Sequence, residues 1–112
     1  MRLRQREVVR ALLAPGHESL AVVVSCNEAN ALRTVLTLCQ LIDDEQGTFR
    51  GLPTAVEVPA SLSPRNRPMA AIASPYTVPQ NCVVAREGDL PIPIYESLET
   101  ALKRVLGWAA WP

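Results

Sequence analysis

Prolines are concentrated in the middle of the chain and limit what that part can fold into. Eight of the ten prolines lie between Pro53 and Pro93. Proline lacks an amide donor and its ring clashes inside a helix, so a long helix is excluded there. The region instead predicts short strands with antiparallel pairing, because its loops are too short for helical crossovers. The predicted strands are Thr54–Val58, Met69–Ala73 and Cys82–Arg86, with loops over 60–68 and 74–80, a turn over 87–89 and an extended edge segment over Pro91–Tyr95.

A second constraint is the apolar run Leu20–Val24, which contains three adjacent valines. Such a run is typical of a central strand that is covered on both faces. Asn27 is a suitable N-cap for a helix, and Glu28 places negative charge in its first turn. This predicted helix ends near Ile42, because the three acids that follow would be unfavourable in its last turn. Its apolar stripe comprises Leu32, Val35, Leu36, Cys39 and Ile42.

One further helix is predicted at each end of the chain. Residues 2–14 carry apolar side chains at helical spacing, and Pro15-Gly16 would end that helix. The last helix begins at Ser97, an N-cap residue, with Glu99 in the first turn. Its buried face is predicted to consist of Leu98, Ala101, Leu102, Val105 and Leu106.

These elements predict a single domain over residues 1–112. The expected fold class is α/β or α+β, with a small mixed β-sheet of about four to five strands flanked by two to three helices. Apolar residues make up 48% of the chain, which suffices for a packed interior and argues against disorder.

Charge and hydropathy exclude several classes of protein. Eleven basic and eleven acidic residues give a net charge of zero, whereas dedicated nucleic-acid binders carry a basic excess, so nucleic acid is an unlikely partner. No apolar run reaches the roughly 18 residues that span a bilayer, and no signal peptide is evident at the N-terminus. A cytoplasmic protein without membrane contact is therefore predicted. Ten of the basic residues are arginine, which indicates a GC-rich bacterial genome.

The sequence contains no motif for a cofactor or a metal. The residues after the first valine-rich strand, Ser25 to Glu28, lack a phosphate-binding glycine loop. His17 is the only histidine and is interpreted as an exposed turn residue, which leaves no catalytic triad and no zinc site. The acids at 43–45 are consecutive and cannot all face one ion, so they are expected in a solvated loop.

Cys26 is the one candidate for covalent chemistry. It would lie between the end of a central strand and a helix N-terminus, where ligands often bind and where the pKa of a thiol is lowered. The alternative is a packed or capping residue, and Ser25 beside it is a candidate phosphorylation target. Three cysteines without metal-ligand spacing predict reduced thiols, mostly buried.

Two segments are candidates for binding a partner. Trp108 and Trp111 lie in the last five residues, where they would either cap the core or anchor a protein partner or a second copy of the chain. Arg2, Arg4 and Arg6 make the N-terminal segment basic. They would form either a solvated helix face or an arm that contacts an anionic partner.

Residues 69–108 resemble the C-terminal part of SpoIIAA-like and STAS domains. The similar features are the strand Met-Ala-Ala-Ile-Ala, which begins at Met69, and the segment Pro93–Leu102, in which an aromatic residue precedes a Ser-Leu-Glu-x-Ala-Leu helix start. The resemblance implies a small mixed sheet flanked by helices and a regulatory binding role. It carries over no site residue.

The sequence therefore favours a non-enzymatic regulatory or adaptor module that acts by protein–protein interaction. One alternative is a small cysteine-dependent enzyme or redox sensor that uses Cys26. Another is a phage or mobile-element protein that binds and inhibits a larger host complex, which the sequence does not separate from the first.

Overall fold

The computed structural model describes residues 2–32 and 34–107, which form an α+β fold with one seven-stranded sheet and two α-helices. The strands are β1 (Glu7–Ala14), β2 (His17–Val23), β3 (Val35–Asp43), β4 (Ala55–Val58), β5 (Met69–Ile72), β6 (Tyr76–Pro79) and β7 (Val83–Asp89). The helices are α1 (Asn27–Leu32) and α2 (Ile92–Val105), and short 3-10 turns cover Ala60–Leu62 and Gln80–Cys82.

Strand β3 organises the sheet. The strand order in the sheet is β4-β5-β3-β2-β1-β7, and β6 pairs with the first half of β3. Residues Val35 to Leu38 of β3 pair with β6, and Leu41 to Asp43 pair with β5. All strand pairings in the part of the chain that the structure describes are antiparallel. Antiparallel pairing was predicted for the proline-rich middle, but the predicted mixed sheet of four to five strands is wrong, since the sheet is antiparallel and has seven strands.

Strand β2 is covered on both faces, which confirms the prediction from its valine run. Leu20 and Val22 join an apolar core on one face of the sheet, and Ala21 and Val23 join a second core on the other. The alternation follows from the two-residue repeat of a strand. Helix α2 covers the first core and contributes Ile94, Tyr95, Leu98 and Ala101 to it. Leu90, from the turn before the helix, belongs to the same core. The second core comprises Leu3, Val9, Ala11, Ala21, Val23, Leu36 and Leu38.

The predicted helix over residues 2–14 is wrong, because most of this segment forms β1. Val8 belongs to the core beneath α2, whereas Val9 and Ala11 belong to the opposite core, so the apolar residues alternate as in a strand. Pairing with β2 and β7 stabilises the extended form and outweighs local helix spacing. Gly16 has a φ of +75° and turns the chain into β2, so Pro15-Gly16 closes a hairpin rather than a helix.

The predicted long helix after Asn27 is also wrong. Helix α1 ends at Leu32, and the rest of the supposed stripe lies in β3. Leu36 and Leu38 face one core, while Cys39 and Leu41 face the other. The run from Val35 to Ile42 is almost continuously apolar, so it satisfies helical and strand spacing alike. It forms a strand because it pairs with β2 on one side and with β5 and β6 on the other.

The end of the chain differs from the prediction at the start of the last helix. Helix α2 begins at Ile92, so neither the extended segment over Pro91–Tyr95 nor the N-cap at Ser97 is present. Proline is tolerated in the first helical turn, since the amide it lacks would have no intrahelical partner there. Ser97 instead donates its hydroxyl to the Pro93 carbonyl oxygen, at 3.1 Å. Leu98 and Ala101 are buried as predicted, whereas Val105 and Leu106 are exposed.

In the proline-rich middle, β4 and β5 confirm the predicted strands. The predicted loop over 74–80 contains β6, and β7 continues through the predicted turn at 87–89. In the described residues no helix has both the length and the apolar character needed to cross a bilayer.

Alkaline pH is expected to destabilise this fold. Burial raises the pKa of Cys39 from 9.0 to about 11, and the pKa values of Tyr76 and Tyr95 from 10.0 to about 12. These groups deprotonate more readily in the unfolded chain, so their contribution is complete below about pH 9 and is lost as the pH rises towards 12. The thermal midpoint should fall steadily above about pH 9, and a constant midpoint up to about pH 11 would contradict this.

Candidate nucleic-acid interface

A groove of about 400 Å³ lies where β2 begins and β3 ends. Its apolar lining includes Leu20 and Leu41, which are neighbours in the β2–β3 register, and Met69 at the start of β5. Its polar lining comprises Glu18, Ser19, Gln40, Asp43, Arg65 and Arg67. Leu20, Leu41 and Met69 are largely buried, so the groups that a ligand can reach at the groove are mainly polar and charged.

Three arginines meet three carboxylates at this groove. Arg67 Nε lies 2.8 Å from Asp43 Oδ1. Arg10 Nη1 lies 3.0 Å from Glu18 Oε2, and Arg10 Nε lies 2.9 Å from Glu87 Oε1. Arg65 Nη2 lies 2.9 Å from the same Glu87 oxygen. We call Arg10, Arg65 and Arg67 the arginine cluster; it carries a charge of +3, which Glu18, Asp43 and Glu87 balance.

The sheet register places Arg10 beside its two carboxylates. Arg10 pairs with Leu20 in β2 and with Ala85 in β7. Glu18 is two residues from Leu20 and therefore lies on the same face as Arg10. Glu87 lies where the register between β1 and β7 shifts, and its carboxylate contacts Arg10 from there. A single charged residue in β1 thus links three strands at one end of the sheet.

The loop before β5 supplies the other two arginines and has a defined conformation. The buried Ser63 accepts the Arg65 backbone N–H with its hydroxyl oxygen, at 3.1 Å. Asn66 has a φ of +57°, in the left-handed region that asparagine tolerates better than most residues. These features turn the chain between Arg65 and Arg67, and both guanidinium groups line the groove.

This arrangement is suited to binding phosphate groups. The planar guanidinium offers paired N–H donors that match phosphate oxygens. The cluster side chains are 37–48% exposed, so a ligand can reach them. Ion pairs at such positions contribute about 0–1 kcal/mol each, which allows an incoming phosphate to replace a carboxylate.

The structure places Cys26 away from this groove. Cys26 is exposed, Cys82 is half-buried and Cys39 is buried in the core beneath α2. Ser25 has a structural role, since its hydroxyl donates to Asn30 Oδ1 and accepts the Thr37 N–H at 3.2 Å. Asn27 accepts the Gln5 N–H at 2.8 Å and so ties the N-terminal segment to α1.

Thiol labelling should distinguish the three cysteines. Because burial raises the pKa of Cys39 to about 11, only about one protein molecule in a thousand would have a Cys39 thiolate at about pH 8. Burial also keeps the reagent away from this thiol. We expect Cys26 to be labelled in the native protein, and Cys39 only after denaturation with guanidinium chloride. Peptide mass mapping of the label would check this, and native labelling of Cys39 as fast as Cys26 would contradict the placement of β3.

The N-terminal arginines lie outside the arginine cluster. Arg6 Nη1 donates to the Leu90 carbonyl oxygen at 2.9 Å and so holds the turn before α2. Arg2 and Arg4 are exposed and line a separate cavity of about 480 Å³ beside α1, where Leu32 is also exposed. Arg4 pairs with the buried Glu7, which Arg86 also contacts, but neither Glu7 nor Arg86 lines that cavity. We place the site at the groove because two guanidinium groups and two carboxylates line it directly. Contact of Arg2, Arg4 or Arg6 with a partner stays a prediction.

The other sequence-predicted positions lie as follows. His17 is exposed at the start of β2, as expected. Asp44 is buried and accepts the Phe49 N–H at 3.2 Å, so the acids at 43–45 do not form one solvated cluster. Over residues 2–32 and 34–107, no group of three or more His, Cys, Asp or Glu side chains could hold a metal ion. Trp108 and Trp111 lie outside the described residues.

Solved structures match the chain along nearly its whole length. A mycobacterial endoribonuclease in complex with its cognate antitoxin has a TM-score of 0.82 at 22% identity, covering 98% of this chain and 99% of that chain. The chain has the fold of the MazF toxins. The toxin MazF-mt6 of Mycobacterium tuberculosis has a TM-score of 0.75 at 19% identity, covering 91% of this chain and 97% of that chain. MazE-MazF from Deinococcus radiodurans gives 0.77 at 16% identity, covering 96% and 97%. No protein-family model and no curated protein matches the sequence.

These comparisons correct the sequence-based interpretation. The resemblance to SpoIIAA-like and STAS domains is wrong, because 96–98% of the chain matches structures with the MazF fold. The interpretations as a non-enzymatic adaptor, as a Cys26 enzyme or redox sensor, and as an inhibitor of a host complex are wrong as well, since the solved structures that share this fold include endoribonucleases and a toxin. The expectation of a protein partner is supported in a coarser form, since two of these proteins were solved with an antitoxin.

Proposed function

We propose that this protein is an endoribonuclease that binds single-stranded RNA in the groove at the arginine cluster. The observation that carries the proposal is the match to a mycobacterial endoribonuclease over 98% of this chain. Because a fold alone does not determine an activity, the groove supplies the second support. Arg65 and Arg67, which line the groove, would bind backbone phosphates of the RNA strand.

The groove also has groups suited to breaking an RNA strand. In the proposed reaction the 2′-oxygen of one ribose attacks the adjacent phosphorus, the bond from phosphorus to the 5′-oxygen breaks, and a 2′,3′-cyclic phosphate and a 5′-hydroxyl result. The Glu18 or Asp43 carboxylate would accept the proton of the 2′-hydroxyl, and water would protonate the leaving 5′-oxygen. Arg65 and Arg67 would stabilise the negative charge that grows on the non-bridging oxygens.

A second candidate is RNA binding without cleavage. It is favoured by the pairing of every arginine of the cluster with a carboxylate, which lowers the positive potential that a phosphate would meet. On this alternative the groove would hold RNA, while the carboxylates would remain ion-paired and accept no proton.

One experiment separates the two candidates. The purified protein is incubated with a mixed-sequence single-stranded RNA and with DNA of the same sequence, and the products are resolved by electrophoresis and end-group analysis. Cleavage of RNA alone, leaving 5′-hydroxyl ends, is expected, because DNA lacks the attacking 2′-hydroxyl. Binding of intact RNA would favour the second candidate. Neither binding nor cleavage would overturn both.

A further inference from the structure

One carboxylate oxygen in the arginine cluster is shared by two guanidinium groups. Glu87 Oε1 lies 2.9 Å from Arg10 Nε and 2.9 Å from Arg65 Nη2. Two guanidinium groups that converge on one anionic oxygen form the arrangement in which a phosphate oxygen is usually held. Glu87 therefore occupies a position that is suited to an oxygen of the RNA backbone.

Glu87 satisfies Arg65 but not Arg10. Arg65 donates a well-formed hydrogen bond to Glu87 Oε1. Arg10 Nε is buried and makes no hydrogen bond, since the nearby carboxylate oxygen lies off the direction of its N–H. A buried donor without a partner is unfavourable, and a differently placed oxygen could relieve it.

Glu87 is close to the groove without lining it. Glu18 and Arg65 line the groove, and they contact Arg10 and Glu87 respectively. The Glu87 side chain is 25% exposed, less than either arginine that it contacts. Its carboxylate therefore occupies the point where the Arg10 and Arg65 guanidinium groups converge, which an anion entering from the groove would have to take over.

We propose that Glu87 is an internal occupant of a phosphate site formed by Arg10 and Arg65, and that it restrains RNA binding at the groove. The inference rests on the proposed function for the identity of the ligand, but the anion site itself does not depend on cleavage. Glu87 acts as a positioning residue: it holds the two guanidinium groups together and competes with the RNA phosphate for them.

The test is the substitution Glu87→Gln, which keeps the shape of the side chain and removes its charge. We expect RNA affinity to rise about fivefold to tenfold, and the dependence of log K on log salt concentration to steepen by about 0.7, the value for one added phosphate contact on a single strand. Glu87→Asp keeps the charge and should restore affinity close to that of the wild type. The matched control is Glu57→Gln, because Glu57 pairs with Arg50 at 3.4 Å and neither residue lines the groove.

The outcomes distinguish this inference from the proposed function when inorganic phosphate is titrated alongside RNA. Tighter binding of RNA by Glu87→Gln supports the inference. If neither protein binds RNA but Glu87→Gln binds inorganic phosphate more tightly than the wild type, the anion site stands and the proposed function fails. If Glu87→Gln gains affinity for neither probe, or if Glu57→Gln gains as much, the inference is overturned.

Discussion

Replacing Arg65 and Arg67 together with alanine is expected to reduce RNA cleavage about a hundredfold or more, since each phosphate-stabilising donor in a site of this kind contributes at least that order. Both guanidinium groups line the groove, and both come from the loop before β5 rather than from the core. The fold should therefore survive the change. Initial rates on a labelled single-stranded RNA, with circular dichroism to verify folding, provide the measurement.

The control for this prediction is Arg50→Ala. Arg50 is also an exposed arginine paired with a glutamate, and its side chain is 66% exposed. It does not line the groove, so its loss should leave the cleavage rate within about twofold of the wild type. Equal losses of cleavage rate in the double variant and in Arg50→Ala would mean that the arginines act only through overall charge. An undiminished rate in the double variant would show that the groove takes no part in the reaction.

Leu98→Ala is expected to cost about 2–5 kcal/mol in the free energy of unfolding, the range for removing a leucine from a filled core. The Leu98 side chain is fully buried and lies in the core between α2 and the sheet. Its loss leaves a cavity beneath α2, which is the helix that covers this face. Chemical denaturation monitored by circular dichroism gives the difference.

Leu106→Ala is the matched control for Leu98. It removes the same atoms one residue beyond α2, where the side chain is 46% exposed. Surface substitutions of this kind usually change stability by less than about 0.5 kcal/mol. If Leu106→Ala destabilised the protein as much as Leu98→Ala, the burial pattern assigned to α2 would be wrong.

The sequence predicted those parts of the fold in which the local residue pattern is compatible with only one type of secondary structure. Leu20–Val24 is too short for a helix and too apolar for an exposed strand, so β2 was predictable. The segment from Val35 to Ile42 fits both periodicities, and only its pairing with β2, β5 and β6 resolves it. Pro91 and Pro93 were interpreted as helix breakers, although proline at the start of a helix is compatible with it.

The groove and the arginine cluster beside it could not be predicted from local patterns, because the residues concerned come from distant parts of the chain. Arg10 lies in β1, Glu18 in β2, Glu87 in β7, and Arg65 and Arg67 in a loop. Only the strand order brings them together. The zero net charge was also misleading, since a total does not reveal that three arginines lie together at one site. The single arginine between Val9 and Ala11, and the Arg-Asn-Arg sequence in a proline-flanked loop, were the available signals.

Cross-linking of RNA that contains 4-thiouridine tests the central claim most directly, because it reports where the strand lies whether or not it is cut. After irradiation, mass spectrometry of the peptides should find cross-links around residues 18–20, 40–43 and 65–69, which line the groove. Cross-links confined to the other end of β3, around Thr34 and residues 79–81, would contradict the assignment of the groove as the RNA site.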